Sequence, residues 1–270
     1  LSTKDLNYLY SKGTSSQIHA IRDINVQIEK GELVGIIGHT GSGKSTLIQH
    51  FNGLLKGTSG VVELDGKDIW ADKSKIRNVR FRVGVCFQYP EYQLFEETVY
   101  KDIAFGPKNM KLSEEEIDRR VRESLSFVGL DESYMEKSPF DLSGGEKRRV
   151  AIAGVMAMKP EVLILDEPSA GLDPKGRETI LKMITDYRKT TGSTVLVVSH
   201  SMEDISKISS KVLVMNESRL AYYDTVDGVF SHAEDLKNMG LNIPQLTELF
   251  LKLKEKGYDV STDIYTMEKA

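Results

Sequence analysis

The chain has little of what would make it a disulfide-stapled, membrane-spanning or nucleic-acid-coating protein. Cys86 is the only cysteine in 270 residues, so no disulfide can form within the chain. Its place in the apolar run Val83-Gly84-Val85-Cys86-Phe87 predicts a buried thiol packing as a small hydrophobe, rather than a nucleophile or a ligand. Apolar runs such as Leu33 to Ile37 and Val195 to Val198 are a few residues long, far below the ~18 that suggest a membrane span. Neither sign of charge dominates: 36 Lys and Arg against 40 Asp and Glu give a formal net charge of −4 and a pI near 5.8. That balance makes no electrostatic case for a nucleic-acid or anionic-membrane surface. No charged-then-apolar leader opens the sequence, so a cytoplasmic protein is expected, and a first residue of Leu rather than Met suggests a trimmed start. Internal repeats and low-complexity tracts are absent. What is there, 40% hydrophobic and 28% charged residues, suffices for one large domain with a substantial core and a small appendage.

Alternation predicts strands over residues 5–10 and 21–28, with Ile24, Val26 and Ile28 on one face and Asn25 and Gln27 on the other, separated by a turn at Gly13-Thr14-Ser15-Ser16. Leu33 to Ile37 then runs into a glycine loop and a helix from near Lys44 to about Leu55. The stretch Val61 to Ile69 reads as a hairpin around Asp65-Gly66, in an antiparallel sheet. Ser113 with Glu116 predicts a capping box before an amphipathic helix reaching about Val128. Val162 to Leu165, Thr194 to Val198 and Lys211 to Met215 are short aliphatic segments separated by helix-length polar stretches, the pattern of a parallel sheet covered on both faces. Beyond Asp224 the pattern changes. Pro244 opens a helix with Leu246, Leu249, Phe250 and Leu253 at i, i+3, i+4 and i+7, a stripe that could pack on its own domain or contact a partner.

Three motifs carry chemistry. The loop Gly38-His39-Thr40-Gly41-Ser42-Gly43-Lys44-Ser45-Thr46 fits the phosphate-binding pattern between strand and helix. Gly38, Gly41 and Gly43 let the backbone approach phosphates, and the N–H groups at the helix start form an anion cradle. Lys44 would reach the β- and γ-phosphates, Ser45 would ligate Mg²⁺ and Thr46 would add a hydroxyl near the α-phosphate. His39 and Thr40 occupy permissive positions in the loop, and His39 has no chemical role. The second motif is the apolar strand Val162 to Leu165 ending in Asp166-Glu167, whose side chains strand alternation points in different directions. Asp166 suits water-mediated Mg²⁺ binding and Glu167 suits orienting or deprotonating an attacking water. Leu142-Ser143-Gly144-Gly145-Glu146 is the third. Two strand ends add polar groups: Gln88, whose amide can contact Mg²⁺ or water, and His200, which can donate to a γ-phosphate oxygen. His19, His50 and His232 have no such context and are taken as structural or surface residues.

The ordered set of these motifs, with the segment Ser169-Ala170-Gly171-Leu172-Asp173, resembles the ATP-binding-cassette ATPases over about residues 5 to 223. The resemblance implies an α/β P-loop NTPase cassette: a RecA-like parallel sheet core, an antiparallel β subdomain, and a helical signature subdomain at about 90–158. It implies a nucleotide-binding domain at 1–223 and a small C-terminal helical extension at 224–270 that makes further dimer contacts. Two cassettes of that family dimerise head to tail, so Ser143, Gly144, Gly145 and Glu146 would face the γ-phosphate of ATP on the other subunit's loop. Asp173 would line the same interface. Tyr10, or Tyr8, would stack on adenine.

A finer resemblance lies in Phe87-Gln88-Tyr89-Pro90-Glu91-Tyr92-Gln93-Leu94-Phe95, which is similar to the Gln-loop segment of the energy-coupling-factor transporters, importers of vitamins and transition-metal ions. The loop before Ile18 and the phrase from Gly38 to Leu55 look most like the second of the two ATPase paralogues in those systems. The implied partners are a paralogous ATPase, a membrane scaffold subunit docking near the Gln-loop, and, indirectly, a membrane substrate-binding subunit, with no nucleic acid. The implied location is the cytoplasmic face of the membrane. Tyr89 to Phe95 and the helix from about Thr98 form the expected docking surface, unless Leu94 and Phe95 only fill local core. The competing readings are an ATPase of another transporter class, or a soluble member acting in DNA repair or translation. Against the last stand the short span from Gln88 to Leu142, with no room for a coiled-coil arm, and the single cassette.

Overall fold

The computed structural model describes residues 1–260 and 265, so the rest of the expected C-terminal extension lies outside the described residues. In chain order the elements are β1 (Ser2–Tyr10), β2 (Ile18–Gln27), β3 (Leu33–Gly38), α1 (Lys44–Phe51), β4 (Ser59–Leu64), β5 (Lys67–Asp68), α2 (Ile76–Arg82), β6 (Val83–Cys86), α3 (Val99–Asn109) and α4 (Glu114–Phe127). There follow α5 (Gly144–Met156), β7 (Val162–Asp166), α6 (Pro174–Thr191), β8 (Thr194–Val198), α7 (Met202–Ile208), β9 (Lys211–Asn216), β10 (Arg219–Thr225), α8 (Val226–Phe230), α9 (Ala233–Asn238) and α10 (Gln245–Glu255). The chain forms two compact units, one from Leu1–Ala71 and the chain from Leu196 onward, the other from Asp72–Val195. Among the described residues no helix is long and apolar enough to cross a membrane.

In the first unit an antiparallel sheet runs in the order β2-β1-β4-β5. Ile24, Val26 and Ile28 are buried while Asn25 and Gln27 are exposed, as their alternation requires. The β4–β5 hairpin turns at Asp65 and Gly66, both with positive φ (53° and 71°), the conformation an Asp-Gly pair adopts most readily in a tight hairpin. Beside it β3 runs parallel to β9, and β10 is antiparallel to β9. Every residue of β3 is buried, which explains its unbroken aliphatic sequence. Each of its fully buried Leu and Ile side chains contributes about 1.5–3 kcal/mol of apolar transfer.

The helix after the glycine loop ends at Phe51, not near Leu55. The chain leaves the helix at Asn52, and Gly53 follows in the left-handed region at φ 67°, a conformation glycine enters without steric cost. The later Leu54 and Leu55 continue the apolar sequence without continuing the helix.

In the second unit β6 runs parallel to β7, and α3, α4 and α5 supply the helical part. The buried stripe of α4 is Ile117, Val121 and Leu125. Ser113 caps this helix through Glu116 N at 3.3 Å, but the expected reciprocal box does not form. The Glu116 carboxylate is taken by Arg119 and Arg120, at 2.7 and 2.6 Å, and their hydrogen bonds, Arg120's first, hold it at about 2. The reciprocal box lies instead at Ser143 and Glu146.

At the C-terminal end α10 forms where Pro244 precedes it, yet its buried positions are Thr247 and Leu251. Leu249, in the expected stripe, is 50% exposed, and Leu246, Phe250 and Leu253 are half-buried. The helix therefore buries an i, i+4 seam fully and its expected apolar stripe only in part, with Leu249 the exposed member.

Candidate active site

In the first unit the glycine loop joins the end of β3 to α1. Gly43, the residue before the helix, has φ 103° and offers no side-chain cap to the start of α1. A Cβ at Gly43 would stand 2.5 Å from Ala20 O, and one at Gly38 would stand 2.5 Å from Met215 O. Only glycine fits either position. Gly41, at φ 84°, has nothing near its missing Cβ, so the loop is open on that side. Ser42 is fully buried with its hydroxyl unpartnered among the described residues. An uncapped helix start, an orphan hydroxyl and glycine-lined space fit an anion carried on several oxygens.

Lys44 is 7% exposed, and its ammonium donates to Gly38 O at 2.6 Å and His39 O at 3.0 Å, so the loop's own carbonyls hold it. His39 Nδ1 donates to Thr40 O at 2.8 Å and Thr40 is exposed, consistent with the permissive part of the pattern. Ser45 is exposed on the first turn of α1. Thr46 Oγ1 lies 3.3 Å from the Tyr10 hydroxyl. The Tyr10 ring, 37% exposed, stands edge-on to Tyr8 at 4.8 Å, and Tyr8 in turn meets the buried His50 at 4.8 Å. Of the two tyrosines, Tyr10 is thus the one with an available face beside the loop. His200 lies just past β8, before α7; burial, then the charge of Lys44, lowers its imidazole pKa, so it is neutral at pH 7 and can donate one N–H.

In the second unit Cys86 pairs with Leu165, so Gln88 and the Asp166–Glu167 pair emerge from the same end of adjacent parallel strands. Asp166 and Glu167 are 8% and 9% exposed. Asp166 is the last residue of β7, and Glu167, just past it, stands in the left-handed region at φ 52°. Burial, opposed by Arg148 and reinforced by Glu91 and Asp166, pushes the Cys86 thiol up to about 12, which makes it inert at neutral pH.

The signature segment opens α5. Ser143 caps the helix by accepting from Glu146 N at 3.4 Å, and Glu146 Oε2 accepts from both Ser143 N and Ser143 Oγ, at 2.8 and 2.7 Å. Tyr134 donates to the other oxygen at 2.7 Å. Hydrogen bonds from Tyr134 and then Ser143 hold the Glu146 carboxyl at about 2. Nothing approaches the missing Cβ of Gly144 or Gly145, so the helix start is bare on that side. A groove of about 410 Å³ opens there, lined among others by Ser143, Gly145, Arg149 and Asp173. Asp173 also caps α6, accepting from Gly176 N at 2.7 Å.

A second groove of about 560 Å³ in this unit has Arg77 and Arg80 among its polar walls and Phe81, Leu94, Phe95 and Phe105 among its apolar ones. Phe95 is 57% exposed and stacks edge-on to Phe105 at 5.0 Å, so it does not fill core. The first unit thus gathers Gly38 to Thr46, Tyr10 and His200; the second gathers Ser143 to Glu146 with Asp173, and Gln88 with Asp166 and Glu167. Sequence reasoning missed Tyr134 and Arg148, whose roles depend on contacts that no local pattern announces.

Comparison with known proteins supports the motif reading. The ABC transporter family model matches residues 21–170. The chain is 54% identical, over its whole length, to the energy-coupling factor transporter ATP-binding protein EcfA2 of Clostridium tetani, covering 94% of that protein. Against the protein of the same name from Clostridium perfringens it is also 54% identical over its whole length, covering 95% of the relative. Among solved structures it is similar to cbiO1 of Clostridium perfringens, described as part of the ABC transporter complex cbiONQ. That match has a TM-score of 0.78 and 42% identity, over 92% of this chain and 97% of that one. It is likewise similar to the dimeric MJ0796 cassette bound to ADP and Pi, with a TM-score of 0.74 and 28% identity, over 83% of this chain and 98% of that one.

Proposed function

This chain belongs to the ABC transporter family, and from that premise we propose that it is the ATP-hydrolysing subunit of an energy-coupling factor importer. Its partners are a paralogous ATPase and a membrane scaffold at the cytoplasmic face, and the complex takes up vitamins or transition-metal ions through a separate membrane substrate-binding subunit. The observation that carries this reading is the division of labour between two glycine-flanked helix starts. One, at Gly43, follows a phosphate loop; the other, at Ser143, has no loop of its own and faces an open groove. A chain with both is suited to holding a nucleotide on one surface and closing over a partner's nucleotide with another.

In this reading the phosphates of ATP lie on Gly38 to Thr46 and the adenine lies on Tyr10. Lys44 exchanges the carbonyls of Gly38 and His39 for phosphate oxygens, and Ser42 supplies a hydroxyl. Ser45, Gln88 and Asp166, all oxygen donors, suit Mg²⁺, which when bound neutralises charge on the phosphates. Glu167 orients the attacking water, and neutral His200 donates to a γ-phosphate oxygen. Ser143, Gly144, Gly145 and Glu146 of each chain, with Asp173, complete the other chain's site. ATP then favours the closed pair and ADP the open one, and that affinity difference sets how far the equilibrium moves. The 224–270 segment adds dimer contacts, for which the partly exposed stripe of α10 is suited. The groove bounded by Phe95 and Phe105 receives the scaffold.

Purifying the chain from membranes through an affinity tag and identifying what accompanies it tests the proposal. A membrane scaffold and a second ATPase are expected; a ribosome or DNA, with no membrane protein, would overturn it.

A further inference from the structure

Arg148 lies one turn into α5, yet its side chain is only 5% exposed. Its Nε and Nη2 donate to the two oxygens of Glu91, at 3.2 and 2.9 Å. Nη1 donates to the carbonyls of Pro168, at 3.4 Å, and of Ala170. The ring of Tyr89 lies 6.0 Å from the guanidinium. One planar cation therefore ties together three segments: the Gln88 to Phe95 stretch, the helix that opens at Ser143, and the turn between Glu167 and Asp173. Only a guanidinium reaches a carboxylate on one side and two carbonyls on another with fixed geometry.

A buried ion pair is a poor source of stability compared with an apolar pair of the same volume, so its presence calls for another role. Burial works against the charge on Glu91, but the bonds from Arg148 outweigh it and hold the carboxyl below its usual range, so the pair is ionised at neutral pH. Tyr89 and Glu167, at φ 55° and 52°, lie in two of the segments it joins. Non-glycine residues persist in that region only where their surroundings over-determine them. The docking groove is continuous with the same elements, since Gln93, Leu94 and Phe95 line it together with Val150 and Gly154 of α5.

We propose that the Glu91–Arg148 pair is the positioning device through which a partner seated on the Gln88 to Phe95 segment sets the geometry of the signature helix and of the turn after Glu167, and so sets the rate of ATP turnover. The inference rests on the transporter reading above. It adds the specific contact by which docking is communicated.

The test uses the membrane complex purified through a tag on this chain, comparing its ATP hydrolysis with that of the ATPase pair stripped of membrane subunits. Glu91→Gln and Arg148→Lys are expected to leave the ATP affinity of the stripped pair in place. They lower the stimulation by the membrane subunits by roughly 2- to 30-fold, the range in which coupling substitutions act. Because both act through one contact, Glu91→Gln combined with Arg148→Lys loses no more than the larger single effect. Wild-type stimulation in both single variants, or full additivity in the double, would overturn the inference. Should one variant fail to fold, the other carries the comparison. A wild-type chain that brings down no membrane subunit would overturn the transporter reading instead.

Discussion

Tyr134 donates a 2.7 Å hydrogen bond to Glu146, whose other carboxylate oxygen holds both the backbone N–H and the hydroxyl of Ser143. The serine proposed to meet a partner's γ-phosphate is therefore oriented from behind by a tyrosine that does not itself touch nucleotide.

Tyr134→Phe should leave KM for ATP nearly unchanged and lower kcat of the assembled ATPase by roughly tenfold, because it loosens a charge-assisted bond that orients a group acting in the transition state. Steady-state kinetics at varied ATP concentration check the split. A raised KM with unchanged kcat would place Tyr134 in nucleotide binding instead.

Gly43→Ala should damage the glycine loop twice over. A Cβ there would lie 2.5 Å from Ala20 O, and an L-residue at φ 103° is strained by about 1–2 kcal/mol. Calorimetry should record a lower melting temperature and lost ATP binding together. Lys44→Ala, which relieves no strain, should lose ATP affinity while folding normally, and near-native affinity in that variant would show that the loop is misassigned.

His50 gives a pH signature. Burial lowers its pKa below the ordinary 6.5, and the Nδ1 bond to Thr46 O offsets this only in part. The unfolded chain therefore takes up a proton near pH 6.5 before the folded chain does. The stability this residue confers is present above that value and is lost as the pH falls through it toward the folded pKa. Melting temperatures measured at about pH 7.5 and about pH 5.5 should converge in His50→Gln relative to wild type. An unchanged difference would mean that other groups carry the acid sensitivity.

The glycine loop, the signature segment and the strand before Asp166 were legible in the sequence because each depends on local backbone chemistry: glycine where a Cβ collides, a serine where a helix needs a cap, aliphatics where both strand faces are covered. Arg148 was not legible. In the run Lys147-Arg148-Arg149 nothing distinguishes the buried cation from its neighbours, and its partners are Glu91, Pro168 and Ala170, far away in sequence. The left-handed φ of Glu167, just past the end of β7, was not legible, because no turn residue in Asp166-Glu167-Pro168 announces it. The stripe on α10 was visible as a pattern, yet which of its sides turns inward depends on tertiary packing that favours Thr247 and Leu251.

In the proposed function each chain supplies half of two composite ATP sites that close on ATP and open on hydrolysis. Sedimentation of Glu167→Gln, mixed with its ATPase partner and loaded with ATP or with ADP, tests it most directly. The substitution keeps the shape of the carboxylate and removes its charge, so ATP should persist and hold a stable closed pair, whereas ADP should leave separate subunits. Identical sedimentation in the two nucleotides, with wild-type turnover, would contradict the claim.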